Sequence, residues 1–235
     1  MSGLFAPIKI ACTLGLAAYL CGLPISAADL TTATPEASTK SHKIALVEVP
    51  EPNSYGVVNA ANEARFGGGL LNTKHGEEFT NVLHQRGFSI SQEFNERLVS
   101  ALTTAGFDVE RIHAIRQDKV VTHDDTDADA ILWVAVGAGY YAANSFADYI
   151  PRIHVRAVLL NNDKNEKKEQ LYRQDLWYGS KNPLIGGIEI ETEPIYGYGS
   201  FDKLMESNVQ AGEGLLQGAH LISDRLAKEI SALKH

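Results

Sequence analysis

Cysteine is almost missing from this sequence. Of 235 residues two are Cys, and both, Cys12 and Cys21, fall within the first 28. The rest of the chain therefore has neither disulfide staples nor cysteine-ligated metal, which excludes a disulfide scaffold and a thiolate zinc site. Positive charge is also scarce: 21 Lys and Arg stand against 29 Asp and Glu, a formal charge of −8. That balance argues against general nucleic-acid binding and against adhesion to anionic lipid. Long hydrophobic runs are few. The longest beyond the amino terminus, Ala130 to Ala143, contains two glycines and two tyrosines and reads as a buried strand, not a transmembrane segment. Catalytic signatures are missing too. G-x-S-x-G, H-E-x-x-H and P-loop patterns do not occur, and no pair among the eight histidines has close metal-ligand spacing. There is no internal repeat.

What is present begins with the leader. Residues 1–28 contain one charge, Lys9, then a mostly apolar run from Ile10 to Leu23, then Pro24 and Ser26-Ala27-Ala28. A basic start, a short apolar middle and small residues at a cleavage site predict a secretory signal peptide cut after Ala28 or Ala27. A chain of this size exported without disulfides fits a bacterial periplasm. Leu20 stands directly before Cys21, where a lipidated cysteine is preceded by a small residue. Cys21 is accordingly read as a leader residue and not a lipid anchor, with an outer-membrane lipoprotein as the alternative. Residues 29–42, rich in Thr, Ala and Ser, read as a flexible tether. The roughly 200 residues that follow the leader suit one domain, here 43–235.

Periodicity gives the elements. Lys43–Val49 is β-rich and stopped by Pro50. Ser89–Ala105 is the clearest helix: Ser89 with Gln92 makes a capping-box pair, Phe94, Leu98, Leu102 and Ala105 recur at helical spacing, and Gly106 follows. Phe107 leads into a short strand, and Ala130–Val136 reads as a strand buried on both faces. In 152–160, Ile153, Val155, Ala157 and Leu159 alternate with Arg152, His154 and Arg156. A turn at 161–165 follows, and 171–178 returns as the partner strand. A last helix near 213–233 carries Leu215, Ala219, Ile222, Leu226 and Ile230. Two stretches, 51–87 and 179–207, read as long elaborated loops, the first with room for a short helix at 77–85. The pattern predicts an α/β two-layer sandwich: a mixed or mostly antiparallel sheet covered by two long helices.

Three motifs carry possible chemistry, and each lacks a part. Gly137-Ala138-Gly139-Tyr140-Tyr141-Ala142 has the spacing of a dinucleotide fingerprint, with Asp163 further on, but Pro151 breaks the helix it needs. Asp125, Asp127 and Asp129 have calcium-loop spacing, with His123 and Asp124 nearby. Ala130 stands where the loop requires glycine and Val136 where it requires a bidentate acid. Ser200 and Lys203 match S-x-x-K without the companion elements of acyl-serine enzymes. The plainer readings are a strand end with glycines, a solvated acidic turn and a capping serine.

The succession Ile44-Ala45-Leu46-Val47, Phe94 to Phe107, Asp129 to Val134, the hairpin Val155 to Trp177 and a terminal helix resembles a group of periplasmic α/β domains. These belong to envelope proteins related to the curli-secretion lipoprotein, the penicillin-binding-protein activator lipoproteins and the amino-terminal domain of the Tol translocation protein. The resemblance implies a non-enzymatic protein that docks on envelope partners or assembles with itself. The expected function is thus an exported, non-catalytic binding protein with no cofactor, no bound metal, no nucleic-acid partner and no transmembrane segment in the mature chain. The candidate partner surface is Ile188, Ile190, Ile195, Tyr196 and Tyr198, with Val57, Val58, Phe66, Leu70 and Leu71 in the other long stretch. Packing back onto the core is the competing reading of each. The alternatives are an exported hydrolase or metal-dependent enzyme using the acidic cluster or Ser200, and a small-ligand binder built around Gly137 and Gly139.

Overall fold

In this computed structural model residues 42–63, 68–113, 125–162, 169–179 and 186–234 are described. The leader, the tether as far as residue 41, Phe66, His123, Asp124 and Asp163 lie outside them. The strands are β1 (Lys43–Val47), β2 (Gly56–Asn59), β3 (Asp108–Ile112), β4 (Ala130–Ala142), β5 (Ile150–Asn161), β6 (Gln170–Tyr178) and β7 (Ile188–Ile190). The helices are α1 (Ala60–Glu63), α2 (Gly68–Gln85), α3 (Ile90–Thr104), α4 (Phe201–Glu206) and α5 (Asn208–Ser231).

All seven strands form one sheet in the order β3-β1-β4-β5-β6-β7, with β2 also on β4. β1 pairs in parallel with β3 and β4, β2 with β4, and β7 with β6, whereas β4–β5 and β5–β6 are antiparallel. The sheet is therefore mixed, and helices pack on it, as the α/β sandwich requires. β1 ends opposite Trp133 and β2 begins opposite Gly139 on the same side of β4. The chain between them leaves the sheet, and its Val49 and Tyr55 enter the core beneath the helices.

That core follows from strand alternation. Ile44 and Leu46, Leu132 and Tyr140, Ile153 through Leu159 at every second position, and Leu176 and Tyr178 all point to one face. Against it lie α3 and α5, whose Leu98, Leu102, Ile222 and Leu226 are fully buried together. Ser89 caps α3 by accepting the Gln92 N–H (3.1 Å). The reciprocal half of the capping box is not made, because the Gln92 side chain reaches Glu96 instead (3.0 Å). Gly106 takes φ +82° after the helix, the left-handed turn expected of it.

The expected loop at 51–87 is a correction. It holds β2, α1 and the 18-residue α2. The buried face of α2 combines Phe79 and Leu83 with Asn72, Gly76 and Thr80, so its apolar stripe is broken. Polar bonds replace it. Thr80 Oγ1 donates to Gly76 O (2.6 Å) and accepts the Tyr55 N–H (2.8 Å), while Asn72 Oδ1 accepts the Asn59 N–H (3.2 Å). The stretch 179–207 is likewise less irregular than expected: its described part contains β7, a single turn of 3-10 helix at Pro194–Tyr196, and α4. Ala130–Val136 is only the start of a 13-residue strand, and Ala135 on it is exposed.

Candidate functional site: the uncovered sheet face

The sheet face opposite the helices divides into two halves. Ala45, Val47, Ile131 and Trp133 pack there with Ala128 and Ile112 as a small second core. Further along β4 the outward residues are small, and Ala135 and Gly137 lie exposed. At Gly137 a Cβ would meet nothing within 4 Å, so the strand there faces open space.

Beside this floor the outward residues of β5 and β6 meet in register. His154 stands opposite Trp177, and Arg156 opposite Asp175. The His154 ring stacks on the Trp177 indole at 3.8 Å and 9°. His154 Nε2 donates to Asp175 Oδ1 (2.6 Å), and Arg156 Nε donates to the same oxygen (2.9 Å). Burial would raise the Asp175 pKa, but the hydrogen bonds from His154 and Arg156 outweigh it and hold the carboxyl below its ordinary value. The Trp177 Nε1–H donates to Gly186 O (2.8 Å), which fixes the indole. Arg152 lies one register step along, its guanidinium carbon 4.8 Å from the Tyr141 ring centre and 5.0 Å from that of Trp177. Both distances are within cation–π range. The face thus presents the half-buried Trp133, Tyr141, Arg152 and Arg156, residue types enriched in binding hot spots, over Trp177, which is itself buried at 4% exposure, on a chain that is acidic overall.

The residues singled out from the sequence are placed elsewhere. Tyr196 and Tyr198 are buried at 8% and 6% exposure, and Ile188 and Ile190 are half-buried on β7; of the five expected surface residues only Ile195, at 60%, is exposed. The expected surface at 188–198 is therefore corrected. Tyr196 packs toward Gly214, and Tyr198 joins Tyr149 by two backbone bonds (2.7 and 3.0 Å). In the other stretch Val57 is buried and Val58 half-buried, while Leu70 and Leu71 are exposed.

The G-x-G-x-x-A segment lies wholly inside β4, with no helix start to cradle a phosphate. Gly139 serves a close approach: a Cβ there would come within 1.9 Å of Gly56 O. The acidic turn is a clasp on β1. Asp129 Oδ2 accepts the Lys43 N–H (2.8 Å), and Asp127 and Glu110 pair with Lys43 Nζ, which raises that ammonium's pKa. Among the described residues no three potential ligands converge on a metal position. Ser200 Oγ accepts the Lys203 N–H (3.2 Å) and caps α4, the plainer of its two readings.

Among the described residues no helix is long and apolar enough to cross a membrane. No family model matches the chain, and no curated protein matches it. Among solved structures it is similar to protein XCC0632 from Xanthomonas campestris, assigned to the DUF330 family, at 9% identity over 83% of this chain and 86% of that one, with a TM-score of 0.42. It is also similar to the hypothetical protein CT253 from Chlamydia trachomatis, at 14% identity over 80% of this chain and 96% of that one, with a TM-score of 0.37.

Proposed function

We propose that this is an exported, non-catalytic binding protein of the bacterial cell envelope, and that it docks a protein partner on the uncovered half of its sheet. The observation that carries the reading is the contrast between the two sheet faces. One is sealed by α3 and α5, while the other presents Ala135 and Gly137 as an exposed floor beside the half-buried Arg152, His154 and Arg156, with Trp177 buried beneath Arg152 and His154. Rings and guanidinium groups fixed by stacking lose little freedom when a partner covers them, which favours binding. Each candidate motif for catalysis has a structural use instead. The leader pattern of residues 1–28 and the resemblance to envelope domains support the compartment.

The test is a pull-down from native envelope with the wild type and with Gly137→Arg. Because Gly137 faces open space, the new side chain should block docking without unfolding the domain. Capture should fall at least tenfold while the urea midpoint stays put. Equal capture by a folded Gly137→Arg protein, or an unprocessed Met1 on the mature envelope protein, refutes the reading.

A further inference from the structure

Four of the seven arginines among the described residues already hold a carboxylate. Arg97 grips Asp224, Arg111 pairs with Glu48, Arg156 with Asp175, and Arg225 with Glu229. Arg152 differs. Among the described residues no carboxylate pairs with it, and its Nε is buried with no hydrogen-bond partner. Its guanidinium is nevertheless held in place by Tyr141 and Trp177 at 4.8 and 5.0 Å. The neighbouring acid cannot turn to it freely, since Asp175 already accepts from His154 and Arg156. Glu189 is opposite Trp177 on β7, one strand beyond the indole from β5.

A guanidinium fixed by two rings presents a planar fork that matches a carboxylate in two parallel bonds. The floor beside it is bare, because Gly137 lies diagonal to Arg152 across the β4–β5 ladder and carries no side chain. A chain segment can therefore approach the strand closely. The charges on this half of the face are the half-buried Arg152 and Arg156 against the half-buried Asp175 and the exposed Glu189; Asp175 is taken up by His154 and Arg156, which leaves Arg152 as the cation of this half without a carboxylate among the described residues. This chain's own acidic turn is not the natural occupant, since Asp127 and Asp129 are bound to Lys43.

We infer that Arg152, clamped between Tyr141 and Trp177 beside the Gly137 floor, is the receptor for a carboxylate side chain on an acidic segment of the docked protein partner. The inference rests on the docking reading above and gives that partner its chemistry.

The probe is an acetylated hexaglutamate peptide, with hexaglutamine and inorganic phosphate as comparisons. The chain has two tryptophans, and both Trp133 and Trp177 lie on this face, so intrinsic fluorescence reads it directly. Hexaglutamate should give a saturable change in emission, and hexaglutamine none. Arg152→Gln should weaken binding at least tenfold, whereas Arg97→Gln, on the helical side, should bind as wild type. Gly137→Glu keeps the clamp and supplies an internal carboxylate. It should lose tenfold or more where Gly137→Gln loses less than threefold, which keeps the test decisive if Arg152→Gln does not fold. Equal binding of the two peptides, or wild-type binding by folded Arg152→Gln or by Gly137→Glu, overturns the inference. So does phosphate displacing hexaglutamate at matched concentration, which would mark a free-oxyanion site. So does hexaglutamate-sensitive dimerisation, which would make a second copy the occupant. If Arg152→Gln still captures the partner that Gly137→Arg loses, the docking face stands and the carboxylate receptor falls. If hexaglutamate binds through Arg152 while Gly137→Arg captures normally, the docking reading falls and the carboxylate site stands alone.

Discussion

Three glycines of α5 lie under aromatic rings, and alanine substitution at each sets two effects against one another. Replacing a mid-helix glycine by alanine gains about 1 kcal/mol of helix propensity. The new Cβ must also fit. At Gly218 it would come within 2.2 Å of Tyr178 Cδ1 and 2.8 Å of Ile153 Cδ1. Tyr178 and Ile153 are both fully buried, so neither side chain can swing into solvent. The contact is about 1 Å too short for van der Waals packing, and overpacking of this kind costs about 1–3 kcal/mol. Gly218→Ala should therefore lose up to about 2 kcal/mol net, a fall in Tm of up to about 4–8 °C. At Gly214 the Cβ would lie 2.8 Å from Tyr196 Cγ, a milder conflict. At Gly212 the nearest atoms, on the half-buried Phe88 ring, are 3.3 Å away, and a small shift of that ring relieves the contact. Gly212→Ala should be neutral or gain up to about 1 kcal/mol. Urea unfolding followed by tryptophan emission gives all three midpoints. If Gly218→Ala is as stable as Gly212→Ala, the rings do not lie over the helix as described.

Leu98→Ala, in the fully buried seam between α3 and α5, should cost about 2–5 kcal/mol in the same assay, and a loss below about 0.5 would mean that the seam is not packed. Asn95 binds the Val49 N–H (3.0 Å) and C=O (3.1 Å) where β1 leaves the sheet; Asn95→Leu strands two buried backbone groups and should cost at least about 2 kcal/mol by urea unfolding, so a neutral change would show those bonds are not made. Burial chiefly, helped by Lys74 and opposed by Glu78 and Asp202, holds the His75 imidazole below its ordinary pKa. The folded state thus favours the neutral ring, so its contribution is present above the unfolded value of about 6.5 and is lost as pH falls below it. His75→Phe keeps the stack on Phe201, and its urea midpoint should depend less on pH between pH 7 and 5; an unchanged slope would remove His75 as a cause.

Legibility in the sequence tracks how an element is held. α3 is bound to the core by Phe94, Leu98 and Leu102 with a capping serine, so spacing and end signals agreed with the observed helix. α5 shows its stripe, with Leu215, Ala219, Ile222, Leu226 and Ile230 all buried, yet the stripe points to a start near 213, five residues after the observed Asn208. The cause is that Gly212, Gly214 and Gly218 belong to the same buried face. A glycine that receives a ring carries no apolar signal of its own. α2 was hidden for a related reason, because its contacts with β2 run through Thr80, Asn72 and the bare backbone of Gly76. In each case the missing information belongs to the partner surface.

The uncovered face was harder to read because its residues depend on register. Arg152, His154 and Arg156 were visible as the outward set of β5. Asp175 and Trp177 were not visible as their neighbours. A hairpin turn centred on residue 163 would set Tyr172 opposite His154, whereas the observed register sets Trp177 there. The two differ by an odd number of residues, and an odd slip exchanges the faces of a strand. Under that pairing Asp175 and Trp177 would point to the helices, and no His154–Trp177 stack or Arg156–Asp175 bond would exist. The correct register is selected by the other face, where it buries Leu176 and Tyr178 completely beside Val155 and Ile153. A bulge between Leu159 and Leu160 then shifts the pairing by one residue toward the turn. The proposed docking face is thus assembled as a consequence of core packing on the opposite side of the same strands. A substitution that slipped β6 would remove it without touching any of its residues.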